Sequence, residues 1–181
     1  PGDMYVAQTG LVGAPAGATY PTHLTPFTLV GSGPVVKGNT TEVSFEATSD
    51  QVRVVKTFIL TQGSYDIRVR NDIYNLGDQP IDPSLYLQLT RDGHEPSNTT
   101  GFYSTFTGAA VYSAEDKFQK VKFDEITKGK ASYITQADNG WIGIVQHYFA
   151  SAWVPKQGVV RTNQALALPD GLFAVRSIEA V

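Results

Sequence analysis

Between Tyr65 and Ile73 the apolar residues Tyr65, Ile67, Val69 and Ile73 take odd positions, while Asp66, Arg68, Arg70 and Asp72 take even ones. Successive side chains of an extended chain point to opposite faces, so this alternation predicts a strand with one buried and one wet face. The same period runs through Val43, Phe45 and Ala47, set among Glu42, Ser44, Glu46 and Thr48. Val52, Val54, Phe58 and Leu60 share one parity of the next segment, and Gln62-Gly63-Ser64 supplies a turn into Tyr65, which predicts a hairpin. Leu85, Leu87 and Leu89 alternate with Tyr86, Gln88 and Thr90, and a last strand pattern covers Leu172 to Ile178.

Other segments are less regular. Asn75–Pro83 and Arg91–Gly101 read as loops, punctuated by Gly, Pro, Asp and Asn. Phe118–Ile126 alternates loosely, and its Lys and Asp content predicts an edge or exposed strand. Trp141–Val154 has large apolar groups on both parities: Trp141, Val145, Phe149 and Trp153 on one, Ile142, Ile144 and Tyr148 on the other. That pattern fits one strand covered on both faces, or two strands with a bulge between them. No segment holds an i, i+3, i+4, i+7 apolar stripe, and Ser113-Ala114-Glu115-Asp116 would cap only one short helical turn toward Lys120. Roughly ten or more short strands with little helix predict an all-β fold, a large antiparallel β-sandwich. The expectation is a single domain over residues 1–181.

Composition narrows the class. With 41% hydrophobic residues the chain can fill a core, which sets disorder aside. A formal charge of −3 with no basic run argues against an electrostatic nucleic-acid binder. The absence of cysteine excludes disulfides and thiolate metal sites. No apolar stretch approaches the ~20 residues that span a bilayer. No basic-then-apolar start resembles a signal peptide, so the chain reads as a soluble piece cut from a longer protein.

Motifs for catalysis are sought without success: no nucleophile elbow, HExxH pair, dinucleotide fingerprint or P-loop occurs. His147 has no second histidine at ligand spacing, His23 lies between Pro21 and Pro26, and His94 sits in the polar Asp92-Gly93-His94-Glu95 loop. Asp66 and Asp72 interleave with Arg68 and Arg70, as on a solvated face. Asp124 and Glu125 would point to opposite faces of a strand and could not act on one atom. Asn39-Thr40-Thr41 and Asn98-Thr99-Thr100 match the short glycosylation acceptor, a frequent chance pattern. The expectation is no catalytic residue, no cofactor and no metal.

Three segments together resemble the periplasmic domain of the YidC family of bacterial membrane protein insertases. The first runs from Lys56-Thr57-Phe58-Ile59-Leu60 through Gly63, Tyr65, Ile67 and Val69 to Asn75. The second is Phe106–Ser113, followed by Glu115-Asp116-Lys117-Phe118 and Lys122-Phe123-Asp124. The third is Gly140-Trp141, then Gln146–Pro155. The resemblance spans Lys56 to Pro155, while the flanks match only loosely. It implies a β-supersandwich similar to galactose-mutarotase-like folds, at the periplasmic face of the inner membrane in a parent that inserts and folds membrane proteins. It also implies partners: Sec translocon accessory subunits and nascent membrane proteins. The insertion work itself belongs to transmembrane segments, so an auxiliary, non-enzymatic contact role is implied here. The family's first and last strands are expected to be missing.

If the domain binds a partner, the candidate surface is Tyr103–Ile126, whose aromatics Tyr103, Tyr112, Phe118 and Phe123 stand among Lys117, Lys120 and Lys122. The competing reading is an ordinary edge strand whose aromatics pack inward. A second functional class is a carbohydrate-binding or mutarotase-like, sugar-active sandwich. It would need solvent-facing Trp or Tyr platforms and a convergent acid–base pair.

Overall fold

The computed structural model describes residues 4–94, 106–146 and 148–181. Tyr103 and His147 lie outside the described residues. In chain order the strands are β1 (Tyr5–Val12), β2 (Thr28–Leu29), β3 (Val35–Lys37), β4 (Thr40–Ser49), β5 (Val52–Thr61), β6 (Ile67–Asn75) and β7 (Ser84–Asp92). They continue as β8 (Thr107–Ser113), β9 (Lys117–Val121), β10 (Gln136–Ala137), β11 (Trp141–Gln146), β12 (Phe149–Trp153), β13 (Arg161–Ala167) and β14 (Leu172–Ala180). One α-helix, α1 (Phe123–Thr127), and one 3-10 turn (Pro169–Gly171) complete the described elements. The all-β architecture with little helix is the one the period of two predicts.

The strands belong to two compact units, Pro1–Thr9 with Ser84–Val181, and Gly10–Pro83. In the first, the order β1-β7-β14-β13-β10 makes one sheet and β12-β11-β8-β9 another. Their facing sides form a single core of Leu89 and Val175 from the larger sheet and Ala109, Val111, Val121, Ile142 and Ile144 from the smaller, closed by Ile126 of α1. Val111, Val121 and Val175 are fully buried. Each such side chain contributes about 1.5–3 kcal/mol over its exposed state.

Register decides which side chains face that core. Val111 pairs with Gln119 and with Ile142, whereas Tyr112 pairs with Phe118 and with Trp141. The valine row therefore points in and the aromatic row points out.

The second unit is built on the order β2-β4-β5-β6, with β3 also on β4. The predicted β5–β6 hairpin has Val54 opposite Ile73 and Phe58 opposite Val69. Val43 faces Phe58, and the Phe45 and Phe58 rings meet edge-on, centroids 6.2 Å apart. Lys56 lies on the same parity, with its ammonium 4.6 Å from the Phe27 ring centre, and burial lowers its pKa. Burial along β5 changes parity, from Val52 and Val54 to Thr57, and Leu60 ends exposed.

Three local expectations are corrected. Phe118–Ile126 is not one strand: β9 ends at Val121 and α1 begins at Phe123. The Lys122 N–H donates to Glu125 Oε2 at 3.4 Å and the Ile126 N–H to the Lys122 carbonyl at 3.1 Å. Asp124 and Glu125 thus sit in the first turn of a helix, where the exposed N–H groups favour acidic side chains. Second, Ser113–Asp116 caps no helical turn. It forms the β8–β9 hairpin, with Asp116 N–H on Ser113 Oγ at 3.0 Å and Lys117 in a left-handed conformation (φ 58°). Third, Trp141–Val154 is two strands without a bulge between them: β12 folds back on β11 with Gln146 opposite Phe149 and Ile142 opposite Trp153.

Candidate functional site

The outward face of the smaller sheet carries an aromatic row. Trp141 stacks on Tyr112, with centroids 5.8 Å apart and planes at 10°, and its ring also meets Phe118 at 5.8 Å and 46°. The cross-strand pairing of these three residues brings the rings together. Two glycines make room. A Cβ on Gly143 would lie 3.1 Å from Trp141 Cζ3 and 2.8 Å from the Ser151 carbonyl oxygen. Gly140 has φ +86°, and its place beside Tyr112 leaves no space for a side chain.

Lys120 stands one row along on the same face, opposite Ala110, with its ammonium 5.2 Å from the Phe106 ring centre. Phe118 is 43% exposed on β9, an outer strand of the sheet. Of the residues the sequence nominated, Tyr112, Phe118 and Lys120 therefore share one solvent-facing strip. Lys117 stands at the hairpin turn, where its Nζ donates to the Ala114 carbonyl at 2.5 Å. Lys122 is exposed at the start of α1. Phe123 turns away: its ring stacks on Phe173 at 4.4 Å and Arg91 approaches its face at 5.8 Å. Tyr103 lies outside the described residues.

Sequence reasoning missed Trp141 and Phe106 as members of the strip. Parity along one stretch groups Trp141 with Trp153, but the β11–β12 reversal puts them on opposite faces. The polar pair Gln146-His147 in the middle of an apolar run was the available signal for that reversal.

Two groups of buried polar side chains, one around Arg91 and one around Gln88, are hydrogen-bonded within each group. Arg91, 6% exposed, donates to Gln146 Oε1, to the Asp92 and His94 carbonyls and to Asp92 Oδ1. Burial raises the Asp92 carboxyl, but the His94 N–H and the Arg91 guanidinium outweigh it and hold the group below the ordinary range. Gln88 and Thr90 share Gln8 Oε1, and Arg176 Nε donates to Gln88 Oε1 at 2.7 Å. Among the described residues no cluster of three His, Asp or Glu side chains could hold a metal ion, and no helix is long and apolar enough to cross a membrane. Tyr112 lies against one face of Trp141, and the Trp153 indole N–H donates to the Gln88 carbonyl at 2.9 Å.

These features define an all-β domain of antiparallel sheets with an aromatic and basic strip on one exposed face. The chain matches the family model of the YidC periplasmic domain over residues 1–180, and it belongs to that family. The match takes in the flanks on either side of Lys56–Pro155. The chain is 58% identical over 178 residues, 98% of its length, to a membrane protein insertase YidC of Bordetella pertussis. It is 45% identical over 180 residues to the insertase of that name from a Janthinobacterium species, and 44% over 178 to the one from Burkholderia multivorans. It spans about a third of the length of these relatives: 32%, 31% and 31% respectively.

Proposed function

We propose that this chain is a non-catalytic, auxiliary domain that contacts partners or substrates at the periplasmic face of the inner membrane. There it assists insertion and folding of inner-membrane proteins, alone or with the Sec translocon. The observation that carries the reading is the match of the whole chain to the periplasmic-domain family, with relatives named membrane protein insertases. The strip of Tyr112, Phe118 and Lys120, with Lys117 and Lys122 beside it, supplies the contact surface. Exposed aromatics amid mixed charge suit a transient interface, where rim charges set the encounter rate and aromatics hold the contact.

The test is retention of purified Sec translocon accessory subunits, in detergent, on immobilised chain. The wild type retains them, and Lys117→Glu, Lys120→Glu and Lys122→Glu combined weaken retention in a salt-dependent way. Equal retention by the variant sinks the strip as the contact. No retention by the wild type sinks the Sec partnership.

A further inference from the structure

The turn that leads into β11 holds a pair of residues able to react with one another. Among the asparagines of the sequence, Asn139 alone precedes a glycine. In an Asn-Gly pair the glycine nitrogen can close on the asparagine Cγ, because no side chain hinders its approach and the backbone bends freely there. Hydroxide removes the proton from that nitrogen, the N–Cγ bond forms, and the Cγ–Nδ2 bond breaks. Ammonia leaves with a proton taken back from water. A second water then opens the succinimide ring at either carbonyl, giving aspartate or isoaspartate.

In the folded chain the groups of that reaction are all held. The Gly140 N–H donates to Gln157 Oε1 at 2.7 Å. Gln157 Nε2 donates in turn to the Gly140 carbonyl at 3.3 Å and to the Pro155 carbonyl at 2.7 Å. Asn139 Oδ1 accepts from the Ala114 N–H at 2.6 Å, and its Nδ2 donates to Asp138 Oδ1 at 2.8 Å. The Gly158 N–H, 2.6 Å from the Asp138 carbonyl, ties the two loops together again. Gly140 is itself buried, which keeps hydroxide from its N–H.

We propose that Asn139 is a site of spontaneous deamidation that Gln157 holds shut, and that it reacts when the loop 155–158 lets go of Gly140. Such local openings cost less than unfolding the whole domain, so the site reports on this turn alone. The product does not close again. An aspartate at position 139 loses the donor to Asp138 and sets two carboxylates side by side, with Glu115 lining the same recess. An isoaspartate adds a backbone atom just ahead of Gly140, which already lies against the Tyr112 carbonyl. Deamidation therefore marks each molecule in which the turn has opened. The proposal goes beyond the contact role above and uses none of the lysines that test it.

The experiment follows deamidation in mildly alkaline buffer by mass spectrometry of the tryptic fragment 131–156, in which Asn139 is the one asparagine. The reference is an acetylated and amidated peptide of residues 136–142. The folded wild type deamidates at least about tenfold more slowly than the peptide, and in urea that unfolds it the two rates meet. Gln157→Met, with circular dichroism confirming the fold, deamidates about tenfold faster than wild type, the factor set by losing the hydrogen bonds to Gly140. Should that variant fail to fold, Gln157→Asn replaces it, because its amide is drawn back from Gly140 by one methylene. Phe123→Ala weakens the domain elsewhere and leaves the rate well below that of the Gln157 variant. A folded wild type that keeps pace with the peptide overturns the proposal. So does a Gln157 variant no faster than wild type, or Phe123→Ala accelerating the reaction as much as the Gln157 variant, which would make global unfolding the route.

Discussion

A Cβ on Gly140 would lie 1.8 Å from the Tyr112 carbonyl oxygen, so β11 can start beside β8 only because residue 140 has no side chain. The left-handed backbone there adds a second demand for glycine, worth about 1–2 kcal/mol for any other residue. Gly140→Ala should therefore cost on the order of 3 kcal/mol or more, read as a fall in the urea midpoint. Gly158→Ala is the comparison, since it shares the positive φ but meets nothing within 4 Å, and its cost should stay near the backbone strain alone.

The stacked Tyr112 and Trp141 rings should show in near-ultraviolet circular dichroism, where coupled aromatic rings give strong bands. Tyr112→Ala should lower that signal and cost about 1–2 kcal/mol, combining the ring–ring contact with lost burial. An unchanged spectrum would mean that the rings do not stack in solution.

Phe123 and Lys120 were nominated for the same surface, yet their packing predicts opposite behaviour. Phe123→Ala removes a ring stacked on Phe173 and should cost about 2–4 kcal/mol in thermal or urea unfolding. Lys120→Ala should stay within about 0.5 kcal/mol and alter only binding.

Acid should act through Asp92. Its folded carboxyl titrates below the unfolded value of about 3.9, so its contribution to stability is complete above that pH and is lost as pH falls through the folded value. Asp92→Asn should be less stable than wild type at neutral pH. The gap should narrow as the pH drops below about 4, measured as urea midpoints across that range.

Much of the fold is legible in the sequence because period two is a local signal. β4, β5, β6, β7 and β14 each declare themselves through a row such as Val43, Phe45 and Ala47. β13 escapes because its buried positions are Arg161 and Asn163, polar residues that break the hydrophobic alternation. α1 escapes because five residues cannot display a helical stripe, and only the Lys122–Glu125 pairing starts it. The strip was half legible. Its basic residues and Phe118 stand in one stretch of sequence, but the third ring of the cluster, Trp141, comes from a strand that only tertiary register sets beside Tyr112. Phe123 was misplaced for the same reason: its position depends on Phe173, fifty residues away in the chain.

The unlike edges of the smaller sheet also act as a stop. Open-ended growth by strand addition requires one molecule's free edge to meet the next molecule's opposite edge, again and again. Here such a meeting would bring β12 against β9, where Lys117 and Lys120 would have to surrender their hydration beside Phe149 and Val154. Lys117 and Lys120 thus keep β9 from serving as the receiving edge in such a chain of copies.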